Sequence, residues 1–230
     1  SNIDLNARSN RGLIAFILAC FKGHKDVVHS NIDLNATDNG GLTAFIGACA
    51  NGHKDVVKLL QEHLDEINLN AQGGQGGGTA FIWACTLGHK DVVQLLLEHL
   101  DPSIELNAKN EFESTAFMKA CTRGQKEVVQ LLLERWGSYF DLNARDNEGS
   151  TAFMNACYYG RKDVVKFLLG HSNKIQLNAR DEHGRTAFMF ACQDGHKDIV
   201  QMLINNANIE LNTPDDYGMT PLMMACMESF

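Results

Sequence analysis

One short phrase recurs seven times along this chain, and the repetition constrains the fold more than any local feature. It reads Ala-Phe-x-x-Ala-Cys in six copies and Pro-Leu-x-x-Ala-Cys in the seventh. The clearest copy runs Thr151-Ala152-Phe153-Met154-Asn155-Ala156-Cys157 and continues through Tyr158-Tyr159-Gly160-Arg161-Lys162-Asp163-Val164-Val165. The residues anchoring the copies are Ile14, Thr43, Thr79, Thr115, Thr151, Thr186 and Thr220, at steps of 29, 36, 36, 36, 35 and 34 residues. A fixed period of this size means that one supersecondary unit recurs. No such unit can bury its apolar face alone, so neighbours must stack.

Each copy predicts the same module. The anchor Thr precedes an apolar run, where its hydroxyl can cap a helix start. The small residues of Ala-x-x-Ala-Cys let neighbouring helices come close. Gly23, Gly52, Gly88, Gly124, Gly160 and Gly195 then suit the left-handed residue that ends a short helix. A second helix follows through Val-Val and Leu-Leu, as in His89 to Leu100, with apolar residues three and four apart and hence one buried face. Leu-Asn-Ala and a Gly- and Asp-rich stretch such as Arg145-Asp146-Asn147-Glu148-Gly149 read as a protruding turn.

The order Asp-x-x-Gly-x-Thr, Gly-His-x-x-Val-Val, Leu-Leu and Leu-Asn-Ala resembles the ankyrin repeat over essentially the whole chain. The resemblance implies an all-α ankyrin-repeat solenoid of helix–turn–helix modules joined by β-turn or hairpin fingers. About six and a half modules would make a single domain over residues 1–230, with first helices starting near 14, 43, 79, 115, 151, 186 and 220. Two departures stand out. The family's Thr-Pro-Leu-His becomes Thr-Ala-Phe-Ile or Thr-Ala-Phe-Met, with Pro221-Leu222 the lone remnant. The hydrogen bonds which that His makes between modules are therefore lost, and packing by Phe45, Phe81, Phe117, Phe153 and Phe188 is expected in their place. The period is also longer than usual, with the surplus falling between Val-Val and Leu-Asn-Ala, where a longer second helix or loop is expected.

Module one is a turn short. Val28 to Ala36 is 8 residues, where module two has 14 between Val57 and Ala71. Aligning His29-Ser30-Asn31 with His171-Ser172-Asn173 places the shortfall directly after Val28. It is read as residues missing from the numbered chain rather than a true deletion, because so short a helix could not cover module two. Module three has an all-but-glycine turn at Gly73–Gly78, expected to be a mobile finger. Module four puts Glu113 where its neighbours have Gly. Module seven stops after its first helix, and Met223, Met224 and Met227 make a poor polar cap, so the chain reads as part of a longer protein.

A net charge of −8 argues against nucleic acid and anionic membrane, which need basic surface. No run of eighteen apolar residues is present to span a bilayer. Seven cysteines, Cys20, Cys49, Cys85, Cys121, Cys157, Cys192 and Cys226, occupy one repeated position. Helices pack about 8–10 Å apart, beyond the roughly 7 Å limit between disulfide Cα atoms. The thiols are therefore expected to be free, in the reducing cytoplasm or nucleus. Cys and His recur four apart (Cys20/His24, Cys49/His53, Cys85/His89, Cys192/His196), but the pair becomes Cys121/Gln125 and Cys157/Arg161. A catalytic constellation is singular and a stacking residue is repeated, so no enzyme activity is expected. No zinc spacing occurs, and Gly73–Gly78 lacks the Lys-Ser or Lys-Thr of a phosphate loop. No cofactor is called for.

The informative positions are those that vary while their neighbours do not. In each first helix the residue before Ala-Cys and the two after it share one face. From module three to module six this face carries Trp83, Leu87, Lys119, Arg123, Asn155, Tyr158, Tyr159, Phe190 and Asp194. Exposed aromatic and Arg residues dominate interface energies. The family resemblance places this stripe in a concave groove beside the fingers, whose tips are Phe112, Glu148, His183 and Tyr217. It implies a monomeric, non-catalytic scaffold that binds a protein or extended peptide there. The patch at Lys119 and Arg123 points to an acidic or aromatic-bearing segment. Trp83 and Phe190 could equally pack between modules. The competing class is a regulatory or tethering domain within a larger enzyme or channel. The Leu-Asn-Ala asparagines, including Asn107 and Asn143, read as local turn ties, and the resemblance adds possible asparagine hydroxylation.

Overall fold

The computed structural model describes residues 15–27, 32–98 and 104–227. The junction of Val28 with His29, where module one is a turn short, lies outside the described residues, as do Ile14 and Asn6. Among the described residues the fold is all-α, with no strand and a single isolated bridge between Gly73 and Gly78.

The helices come in pairs. First helices are α1 (Ala15–Phe21), α2 (Ala44–Ala50), α4 (Ala80–Leu87), α6 (Ala116–Arg123), α8 (Ala152–Tyr158), α10 (Ala187–Gln193) and α12 (Pro221–Met227). Second helices are α3 (Lys54–Gln61), α5 (Lys90–Glu98), α7 (Lys126–Trp136), α9 (Lys162–Leu169) and α11 (Lys197–Ile204), with a 3₁₀ turn Lys25–Val27 at the matching place in module one. The surplus of the long period lies after the second helices: α7 runs 11 residues and is followed by a 3₁₀ turn at Gly137–Tyr139.

The anchor threonines cap as their position predicts. Thr43, Thr79, Thr115, Thr151 and Thr186 each accept the backbone N–H three residues on, at 3.2–3.4 Å. These hydroxyls are themselves buried, so no water can stand in for them. At the other end of α8, Gly160 takes a φ of 68°, and a Cβ there would lie 2.6 Å from the ring of His196 in the next module. Glycine is thus required twice over at this step, for its φ and for the approach of the neighbour.

The chain divides into two compact units, residues 1–112 and 113–230. In the first, α2 packs between α1 and α4, and α3 lies against α5. In the second, α8 packs between α6 and α10, α10 between α8 and α12, and α9 between α7 and α11. A first helix with neighbours on both sides is buried almost all round: in α8 only Asn155 and Tyr158 escape. A second helix has an outer face and buries one stripe, as Val164, Val165 and Leu168 do in α9. The repeated phenylalanines Phe45, Phe81, Phe117, Phe153 and Phe188 all lie in these cores.

Candidate functional site

Two polar devices hold successive modules in register, and they decide which side chains are left to face outward. The first is the residue after the helix-ending glycine. His53, His89 and His196 place Nε2 2.8–2.9 Å from the carbonyls of Phe21, Ala50 and Tyr158 in the preceding module. Arg161 donates its Nε–H to Thr122 O at 2.8 Å from the same position. These bonds restore the inter-module links that the missing Thr-Pro-Leu-His histidine would have made, so the phenylalanines do not carry the stacking alone. They also account for the Cys–His repeat. The imidazoles of His53, His89 and His196 are committed to carbonyls, while burial pushes the thiols of Cys49, Cys85, Cys121 and Cys157 well above the usual range.

The second device is the Leu-Asn-Ala asparagine. Asn143 donates from Nδ2 to Lys174 O at 3.0 Å and accepts Gln176 N–H on Oδ1 at 2.8 Å, both in the following module. Asn178 does the same with Asn208 O and Glu210 N–H. The expected local turn tie is therefore a clamp between modules. Asn107 is exposed, and Asn143 is partly buried under its clamp.

Four fingers are each built on one carboxylate, and in module four Asn110 takes that place, its Oδ1 accepting Phe112 N–H at 3.0 Å. Asp38, Asp146, Asp181 and Asp215 each accept, on Oδ1, the backbone N–H groups two and four residues on. This closes the turn and lifts its tip. The tips Phe112, Glu148, His183 and Tyr217 are all exposed, Tyr217 by 77%. In module three the glycines serve packing rather than mobility. Gly73 bridges Gly78, Gly74 N–H reaches Gly40 O, the Trp83 indole lies against Gly74 and Gly78, and Phe112 covers Gly76. The mobile finger expected from composition is a tightly packed one.

The expected stripe is sorted by this geometry. In the first unit Leu87 is exposed, whereas Trp83 is half-buried and donates its indole N–H to Gly73 O at 2.9 Å. In the second unit Arg123, Tyr158, Tyr159 and Asp194 are exposed. Lys119 is half-buried; burial first, then the Arg123 charge, lowers its pKa against the pull of Asp146. Asn155 is held by Asp146 through Nδ2–Oδ2 at 3.0 Å. Phe190 is the correction: it is only 4% exposed. The Arg185 guanidinium carbon sits 4.7 Å above its ring, and Tyr158 meets it edge-on at 5.5 Å. Phe190 thus supports Tyr158, which in turn stands edge-on to Tyr159 at 4.8 Å. No signal in the sequence separated the buried ring from the exposed pair, since all three occupy varying positions.

Sequence reasoning also missed a hollow of about 360 Å³ in the second unit, among His183, Arg185, Gln193, Asp215, Tyr217 and Met224. No helix among the described residues is long and apolar enough to cross a membrane. No group of three or more His, Cys, Asp or Glu side chains there is placed to hold a metal ion.

The sequence profile described as ankyrin repeats, in three copies, matches residues 16–110, 100–181 and 171–230. Comparison with curated proteins found no significant match. Among solved structures, the ankyrin repeat domain of Bcl-3, described as a unique member of the IkappaB protein family, is 26% identical. It superposes with a TM-score of 0.78 over 94% of this chain and 95% of that one. In all, 598 solved chains match, so the likeness identifies an architecture and not a partner. Since the profile matches run from residue 16 to residue 230, the chain belongs to the ankyrin-repeat family, whose domains generally serve as protein–protein interaction modules.

Proposed function

We propose that this chain is a non-catalytic recognition domain. It binds a protein or extended peptide through the first-helix and finger face, with its principal contacts in the second unit. The observation that carries this reading is the pair Tyr158 and Tyr159, 38% and 47% exposed at the end of a helix whose other residues, Asn155 apart, are buried. Rings held in place by their neighbours lose little entropy on binding and bring large apolar area to an interface. Arg123 and Lys119 lie on the same face one module earlier, and basic groups on a chain of net charge −8 favour an acidic group on the partner. In the first unit Leu87 is an exposed apolar group of the same kind, and in the second Asp194 and the tips Glu148, His183 and Tyr217 are further exposed groups.

The test is a double variant, Arg123→Ala with Tyr159→Ala, used as bait in affinity capture with mass spectrometry and then in titration against the captured partner. Loss of at least a hundredfold in affinity is expected, with a Tm within a few degrees of the parent because neither side chain is in the core. Unchanged affinity would move the binding surface away from this face.

A further inference from the structure

The finger carboxylates of the second unit form a series in which the last member lacks a partner. In module five, Asp146 Oδ1 takes two backbone N–H groups and Oδ2 takes the Asn155 side chain. In module six, Asp181 Oδ1 takes two backbone N–H groups and Oδ2 takes Arg185, from Nε at 2.8 Å and Nη2 at 2.8 Å. Module seven repeats the turn, with Asp215 Oδ1 accepting Tyr217 N–H at 2.9 Å and Met219 N–H at 2.8 Å. Met219 now stands in the register of Arg185, and Met224 in that of Asn155 and Phe190. Neither side chain can donate a hydrogen bond, and Oδ2 of Asp215 meets no donor among the described residues. Asp215 is only 6% exposed, and what it faces is the hollow of about 360 Å³ between the sixth and seventh fingers.

We propose that this hollow receives an arginine side chain from the partner, its guanidinium on Asp215 Oδ2, in the place that Arg185 fills one module earlier. The proposal rests on the reading of this face as the recognition surface and names one chemical group on what binds there. The walls suit such a guest. Met219, Met224 and the Tyr217 ring offer apolar surface to the stem, and the face of Tyr217, whose ring centroid lies 6.4 Å from that of His183, favours a cation. Charge agrees as well. Arg185 is paired with Asp181 and Arg180 with Asp216, which leaves Asp215 as the uncompensated charge at the site. A guanidinium fits better than an ammonium, because its planar fork can meet the carboxylate while its face lies on a ring. Modules stack about 8–10 Å apart and an extended chain advances about 3.3–3.6 Å per residue. A partner segment would therefore carry its arginine roughly six to nine residues from the acidic group that meets Lys119 and Arg123.

N-acetyl-arginine methylamide, titrated into the full chain and followed by the backbone amide signals of Tyr217 and Met219, tests the assignment without any partner in hand. Saturable shifts at millimolar probe are expected, at least fivefold weaker with the lysine analogue and absent with the leucine analogue. Asp215→Asn should weaken binding at least tenfold while leaving the finger closed, since Asn110 Oδ1 already accepts Phe112 N–H at this position in module four. Met219→Arg should supply the missing guanidinium internally, raise Tm and abolish probe binding. Equal binding to Asp215→Asn, equal binding of the leucine analogue, or unaltered binding to Met219→Arg would each overturn the proposal. If the Arg123/Tyr159 variant loses its partner while the arginine probe fails to bind, this assignment falls alone. If the probe binds but that variant keeps its partner, the wider reading of the face falls instead.

Discussion

Single residues in this chain depart from the repeat where something local demands it, and one departs at a cost. Glu113 has a φ of 57°, the left-handed conformation that Gly149, Gly184 and Gly218 adopt in the fingers that follow. A side chain there opposes its own backbone by about 1–2 kcal/mol, only partly offset by the lower entropy of a non-glycine residue in the unfolded state. Glu113→Gly should accordingly raise stability by about 1 kcal/mol, measured as an increased denaturation midpoint with unchanged slope. No gain would mean that contacts of the Glu113 side chain outweigh the strain. This position was legible in advance, because the repeat itself states what residue belongs there. Phe190 and Trp83 were not. A varying position tells that packing does not fix the residue type across modules, but not whether the particular ring is covered by Arg185 or by a finger.

At the scale of the element, the helices were the most legible part, and the joints between them the least. Thr caps, glycine stops and the one-faced second helices are written within one module, so sequence spacing reveals them. The Asn143 clamp and the His196 link join atoms 31 to 38 residues apart, and only folding brings them together. The clamp makes a sharp expectation. Asn143→Ala removes two hydrogen bonds at once and leaves Lys174 O and Gln176 N–H to find water, a loss of about 2 kcal/mol. Hydrogen exchange should accelerate first at Lys174–Leu177, on the far side of the joint. Asn143→Asp keeps the acceptor for Gln176 but loses the donor to Lys174, and should fall between the two. If Asn143→Ala leaves exchange at residues 174–177 unaltered, the asparagine is only a turn residue of its own module.

For the molecule as a whole, the repeat distributes ionisable groups in a way that a single-core protein does not. Each unit carries thiols at its centre, Cys49 and Cys85 in the first and Cys121 and Cys157 in the second, all fully covered by neighbouring helices. Burial raises their folded-state pKa, while in the unfolded chain a thiol titrates near about 8.5. Below that pH both states hold the proton and the groups leave stability independent of pH. Above it the unfolded chain gives up protons that the folded one retains, so stability falls as pH rises, by at most about 1.4 kcal/mol per pH unit for each such thiol. Cys20 and Cys192 follow in the same direction, with folded values of about 12 and about 11. Tm is therefore expected to be flat between pH 7 and 8 and to decline steeply from pH 9 to 11, in both units alike because the thiols are shared between them. Cys121→Ala with Cys157→Ala should start from a lower Tm at pH 7, through lost packing, yet fall less steeply above pH 9 for the second unit. A decline of equal steepness in that variant would assign the alkaline loss to other groups. The comparison separates packing from protonation, two contributions that the same buried sulfur makes at every level of the stack.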